Sequence, residues 1–163
     1  MISSKYDWQF ATNFTDEKFI KKAKKAGLEP AAASLLYQRG VQTEEALQEF
    51  LEPSLDQLHD PYDLHDMERA VERIRSAIEN YEQILIYGDY DADGMTSASI
   101  VKEALEQLGA ECQVYLPNRF TDGYGPNSSV YKYFIENQGI SLIITVDNGV
   151  AGLEAIDLAQ SLG

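Results

Sequence analysis

The chain has 163 residues, 44% of them hydrophobic, and a formal net charge of −14. That length and hydrophobic content suit one ordinary globular domain, or a small domain with part of another, and the charge leaves no overall electrostatic footprint for nucleic acid. Cys112 is the single cysteine, which excludes an intrachain disulfide and suits a reducing cytoplasm; no apolar run is long enough to cross a bilayer, and Met1–Trp8 has no signal-peptide core.

Asp16 to Ala26 reads as a short helix, with Thr15 as candidate cap and Gly27 as its stop. Its Lys21-Lys22-Ala23-Lys24-Lys25 cluster is expected to be a solvated face. Pro30 opens a second helix through about Gln38, and Thr43 starts a third that runs to Leu51. Pro53 and Pro61 bracket a loop region, Glu52 to Asp63. A longer amphipathic helix follows, in which Met67, Ala70, Val71, Ile74, Ala77, Ile78 and Tyr81 recur at three- and four-residue spacing.

From Ile84 the pattern changes to alternating strand and helix. Strands are expected at Ile84–Tyr87, Cys112–Leu116 and Leu142–Val146, with helices at Thr96–Leu108, Ser128–Asn137 and Gly149–Leu162. Such alternation predicts an α/β fold, a parallel sheet flanked by helices. Doubly wound sheets usually carry more strands than three, so the domain is expected to be truncated at its C-terminal side. The organisation read from the chain is a helical N-terminal region over residues 1–63 and a partial α/β domain over 64–163.

The most informative segment is Ile84-Leu85-Ile86-Tyr87-Gly88-Asp89-Tyr90-Asp91-Ala92-Asp93-Gly94. A buried strand delivers three alternating aspartates, and Gly94 is expected to turn the chain into a helix starting near Thr96. Carboxylates so close repel one another unless a cation sits among them, and hard oxygen ligands suit Mg²⁺ or Mn²⁺ rather than zinc. An EF-hand loop needs a carboxylate at its twelfth position, where Ile100 stands, and a helix in front, where a strand is expected. A phosphoaspartyl hydrolase, a metal-dependent phosphoesterase and a solvated turn with capping aspartates stay open; capping alone accounts for one aspartate, not three.

Residues 82–163 hold 3 basic side chains against 12 acidic ones. Arg119 is one of the three. It lies in Pro117-Asn118-Arg119-Phe120-Thr121-Asp122-Gly123-Tyr124-Gly125-Pro126-Asn127, where it is placed either to grip a phosphate or to pair with Asp122. The third strand ends in Val146-Asp147-Asn148-Gly149. Ligands of open parallel sheets gather at the carboxyl ends of strands, so Asp91, Asp93 and Asp147 are expected to converge, with a helix N-cap as the alternative role for Asp147. His59 and His65 are the only histidines; neither falls near the strand ends, so no Ser-His-Asp arrangement can be built.

These segments resemble the DHH phosphoesterase family, most closely its RecJ branch of single-strand-specific DNA exonucleases. The likeness rests on Gly88–Gly94, Asn118–Gly125 and Val146–Gly149, with a lead-in of Leu36–Gly40, Phe50–Pro53, Asp60-Pro61 and Asp66–Val71, and covers the chain from about Trp8. It implies a two-metal site of Mn²⁺ or Mg²⁺, with Asp91, Asp93 and Asp147 as ligands and Asp89 where other branches carry a histidine. It implies phosphodiester hydrolysis by metal-activated water from a 5′ end of single-stranded DNA, in repair and recombination. Asn118, Arg119, Gly123 and Tyr124 are implied as substrate contacts. No Asp-His-His triplet occurs in the sequence; it is expected beyond Gly163, and the chain alone is expected to be inactive. The alternatives are a relative acting on small nucleotides and a non-catalytic scaffold, although a scaffold would be expected to have lost the aspartates.

Overall fold

The computed structural model describes residues 16–163, so the expected cap Thr15 and the Met1–Trp8 stretch lie outside it. The described residues divide into two compact units, one ending at Asp60 and the other spanning Pro61–Gly163.

The first unit is helical. Its helices are α1 (Glu17–Lys25), α2 (Pro30–Gln38) and α3 (Glu44–Leu51), followed by a 3₁₀ turn at Leu55–Gln57. Asp16 caps α1, its carboxylate accepting the Lys18 and Phe19 N–H groups at 2.8 and 3.3 Å. Pro30 occupies the first turn of α2, where a missing N–H costs nothing, and Thr43 Oγ1 accepts the Ala46 N–H to cap α3. Phe19, Ala23, Ala33 and Leu47 form the core. The basic cluster lies on the exposed side of α1, with Lys22 paired to Glu44 at 2.6 Å.

The second unit opens with a 3₁₀ turn at Pro61–Asp63 and continues as α4 (Met67–Glu79), β1 (Gln83–Tyr87), α5 (Ala92–Gln107), β2 (Cys112–Tyr115), α6 (Ser128–Gln138), β3 (Ile140–Thr145) and α7 (Leu153–Leu162). The three strands form one parallel sheet in the order β2-β1-β3. Ile84, Leu85, Ile86 and Tyr87 are all buried, as befits a central parallel strand covered on both faces. Side chains alternate between the faces. Ile84 and Ile86 pack with Ala77 of α4 and with Ala98 and Leu105 of α5. Leu85 and Tyr87 pack with Tyr131 of α6 and Ala155 of α7. Among the described residues no helix is long and apolar enough to cross a membrane.

Three local expectations need correction. Tyr81 does not join the apolar face of α4: it is exposed, with φ +55°, because the helix stops at Asn80 and the chain reverses there. Helix α5 begins at Ala92, not near Thr96, because Asp91 Oδ1 accepts the Gly94 N–H at 3.0 Å and starts the helix four residues early. Helix α7 begins at Leu153, not Gly149, so Asp147 is not its cap; Asp147 has φ +58° in the connecting loop.

Candidate metal centre

From β1 the chain passes through α5 to β2 on one side, then returns through α6 to β3 on the other. The direction of winding therefore reverses between β1 and β3, and in open parallel sheets ligands bind at such a reversal, at the carboxyl ends of the strands. Asp89 and Asp91 follow the end of β1, and Asp147 follows the end of β3. These three each place a carboxylate oxygen within 4.8 Å of the others'.

Their environments differ. Asp89 is only 2% exposed and accepts the Tyr90 N–H at 2.7 Å. Among the described residues no lysine, arginine or histidine forms an ion pair with it. A buried carboxylate without a cation is costly. Asp91 and Asp147 are exposed. Partial removal from water, followed by the charges of Asp91, Asp93 and Asp89, pushes the Asp147 carboxyl above the usual carboxylate range. Asp93 stands outside the trio, in the first turn of α5, although its charge reaches Asp147.

The backbone holds these carboxylates closely. Gly94 packs against the main chain of Asp89, with no room for a side chain. The Asn148 amide donates to the carbonyls of Tyr87 and Val146 at 3.4 and 3.1 Å, joining the ends of β1 and β3. Its Oδ1 is buried with no protein partner, next to Asp147. Three converging carboxylates, one of them buried, with an orphaned acceptor on the residue after Asp147, fit a hard divalent cation with its water. Neither the Asn148 staple nor the close approach at Gly94 was legible in the sequence, since both depend on partners fixed by tertiary packing.

The loop after β2 lies beside this cluster. Arg119 stacks over the Tyr90 ring, 4.7 Å from its centroid, and donates to the Tyr90 hydroxyl at 3.2 Å. Asp122 is not its partner: that carboxylate accepts the Tyr115 hydroxyl, the Asn118 N–H and the Thr121 hydroxyl at 2.7, 2.7 and 2.9 Å. These bonds, led by the one from the Asn118 backbone, hold the Asp122 carboxyl below its ordinary value. The Asn118 side chain is occupied within the turn, accepting the Phe120 N–H at 2.9 Å. Gly123 adopts φ +82°, and the exposed Tyr124 ring meets Tyr90 edge-on at 6.3 Å. His59 and His65 are both exposed, and His65 lies 3.5 Å from Asp66.

The family model for the DHH family, N-terminal domain, matches residues 83–163, the stretch that holds Asp89, Asp91, Asp93, Asp147 and the Arg119 loop. The chain belongs to the DHH family. Along its whole length it is 40% identical to the single-stranded-DNA-specific exonuclease RecJ of Bacillus subtilis, covering 20% of that protein. Against the Escherichia coli RecJ exonuclease the identity is 36% over 140 residues, 85% of this chain and 23% of that one. A crystal structure of exonuclease RecJ bound to manganese superposes on 60% of this chain and 25% of its own, with a TM-score of 0.52 and 30% identity. The structure of RecJ in complex with Mn²⁺ from Thermus thermophilus covers 90% of this chain and 20% of its own at a TM-score of 0.55, and at 23% identity it shows the shared DHH fold. The chain thus spans about a fifth of the length of the curated relatives it matches.

Proposed function

We propose that this chain forms part of the catalytic core of a metal-dependent exonuclease that hydrolyses single-stranded DNA in the cytoplasm, in repair and recombination. In this reading residues 64–163 carry the chemistry and residues 1–63 form a separate helical region. The observation that carries it is the buried Asp89 carboxylate, unpaired by any described basic side chain, meeting Asp91 and Asp147 at the switch point of the sheet. The similarity to RecJ exonucleases supports the substrate class.

Asp89, Asp91 and Asp147 would hold Mn²⁺ or Mg²⁺, with Asp93 adding negative charge alongside. When bound, such ions supply Lewis acidity toward a phosphoryl oxygen and a water of lowered pKa. Arg119, held over the Tyr90 ring, keeps guanidinium donors for a phosphate placed beside the cluster. Asn118, Gly123 and Tyr124 belong to the same substrate-facing loop, Asn118 and Gly123 through its backbone path and Tyr124 through an exposed ring. The switch-point glycine and asparagine contacts keep the carboxylates from spreading apart when no ion offsets their charge.

Substrate choice tests the reading. In the full-length protein that carries this chain, Mn²⁺ is expected to support release of nucleotides from long single-stranded DNA and little from the duplex. Hydrolysis confined to dinucleotides would replace this reading with a small-nucleotide phosphodiesterase. Hydrolysis of neither would leave a scaffold.

Metal binding should also depend on pH in a defined direction. Because the folded-state pKa of Asp147 is raised, its contribution to metal-free stability is present below the unfolded value and lost as pH rises through the raised one. Mn²⁺ acts oppositely, since it binds ionised carboxylates. The gain in Tm on adding Mn²⁺ is expected to be negligible near about pH 4 and to grow toward about pH 7. Thermal melts with and without MnCl₂ across that range check it; a gain independent of pH would count against carboxylate ligation.

A further inference from the structure

We infer that Tyr87 and Tyr115 are positioning residues, a stacked pair whose hydroxyls hold the 118–127 loop, and with it Arg119, in place beside the acidic trio. The inference rests on the nuclease reading for its consequence in turnover. The two tyrosines end β1 and β2 and are direct neighbours across the ladder. Their rings stack at 5.6 Å with 28° between planes. Tyr87 also meets Tyr131 edge-on at 5.0 Å, and Tyr115 meets Phe134 at 5.3 Å. Each ring is therefore fixed from more than one side, and its hydroxyl projects from a rigid base.

Both hydroxyls are used on the same loop. Tyr115 donates to Asp122 Oδ2 at 2.7 Å, and Tyr87 donates to the Gly125 carbonyl at 3.0 Å in a buried bond. Asp122 passes the constraint on: its carboxylate takes the Asn118 N–H, and its carbonyl takes the Asn127 side-chain amide at 2.9 Å. The tie points therefore bracket Tyr124 and reach back to the residue before Arg119. Tyr87 contributes a third link, because its carbonyl accepts the Val146 N–H at 3.0 Å and the Asn148 amide. One residue is thus bonded to the loop with Arg119 and to the loop with Asp147, and lies two positions before Asp89. A buried tyrosine hydroxyl needs some partner, but here both partners lie on the one loop that carries Arg119, and phenylalanine would fill the same space without tying that loop down.

Tyr87→Phe and Tyr115→Phe, made in the full-length protein, keep the rings and remove the bonds. Amide hydrogen exchange over 118–127 is expected to rise in both, while exchange over 83–87 stays unchanged. Loop exchange equal to wild type in both variants would overturn the inference whether or not the protein is a nuclease. In turnover, KM for single-stranded DNA is expected to rise about tenfold, with kcat and Mn²⁺ affinity unchanged. In an Arg119→Ala background the same substitutions should raise KM no further; additive effects would show that the tyrosines do not act through Arg119 and would overturn the inference. A wild-type protein inactive on single-stranded DNA would sink the nuclease reading, and the exchange result would still decide the clamp. Asp122→Ala, which leaves both rings intact, gives the same loop readout if a phenylalanine variant fails to fold.

Discussion

Asp147→Asn and Asp91→Asn, each made in the full-length protein, are expected to lower turnover of single-stranded DNA roughly a thousandfold, because a misheld ion forfeits several kcal/mol of transition-state charge stabilisation. The same substitutions should act with the opposite sign on the metal-free fold. The Asp147 carboxyl is pushed up by partial desolvation and by Asp91, Asp93 and Asp89, so removing one negative charge relieves repulsion. The asparagine variants are therefore expected to melt no lower than wild type in chelator, and to lose the rise in Tm that Mn²⁺ gives the parent. Asparagine is the informative replacement at position 91. Asp91 also caps α5 through the Gly94 N–H, and alanine there would cost about 1 kcal/mol by loss of the cap alone, mixing a folding defect with a metal defect. Calorimetric titration with Mn²⁺ and melts in chelator separate the two. An asparagine variant that keeps both activity and the metal-induced shift would show that the trio is not the metal site.

The opposition between stability and charge also explains which parts of the fold could be read from sequence. The strand–helix alternation was legible because Ile84 to Tyr87 are apolar without interruption, and a strand buried on both faces needs just that. A meeting of aspartates past the strand ends was legible, since strand ends are where such sheets bind ligands, but the expected set was Asp91, Asp93 and Asp147, whereas the three carboxylates that come together are those of Asp89, Asp91 and Asp147. The reason these three meet lies in the order β2-β1-β3, which periodicity does not encode. The exclusion of Asp93 from the trio follows from the early start of α5, and that start depends on one side-chain bond from Asp91. Arg119 left two roles open in the sequence. The structure removes the pairing with Asp122 because three other donors already occupy that carboxylate. The bonding roles of Asn148 and Tyr87 could not be read locally: the Asn148 amide reaches the Tyr87 carbonyl 61 residues away, and the Tyr87 hydroxyl reaches the Gly125 carbonyl 38 residues away.

Gly94 shows most plainly how a sequence signal can be right in kind and wrong in cause. The sequence suggests a glycine that turns the chain into a helix near Thr96, yet Gly94 already sits inside the first turn of α5 and has no positive φ. Its requirement is space. A Cβ there would lie 2.5 Å from both the N and the O of Asp89 and 2.6 Å from its Cα. In a helix, alanine ordinarily stabilises by about 1 kcal/mol over glycine. Here the contact is with main chain that cannot swing aside, and overpacking of this kind costs about 3 kcal/mol, so the clash decides the sign. Gly94→Ala is expected to lower stability by about 2 kcal/mol net. It should also weaken Mn²⁺ binding, because the atoms that must move belong to the buried carboxylate's own residue. Gly88→Ala provides the contrast: its new methyl would meet Leu116 Cδ2, the far end of a flexible side chain, at 2.7 Å and the Gly94 carbonyl oxygen only at 3.1 Å, and a smaller loss is expected. Urea melts with Mn²⁺ titration on both variants check the pair. A Gly94→Ala protein as stable as its parent would mean that α5 does not rest against the Asp89 backbone, and the placement of Asp89 and Asp91 relative to each other would fall with it.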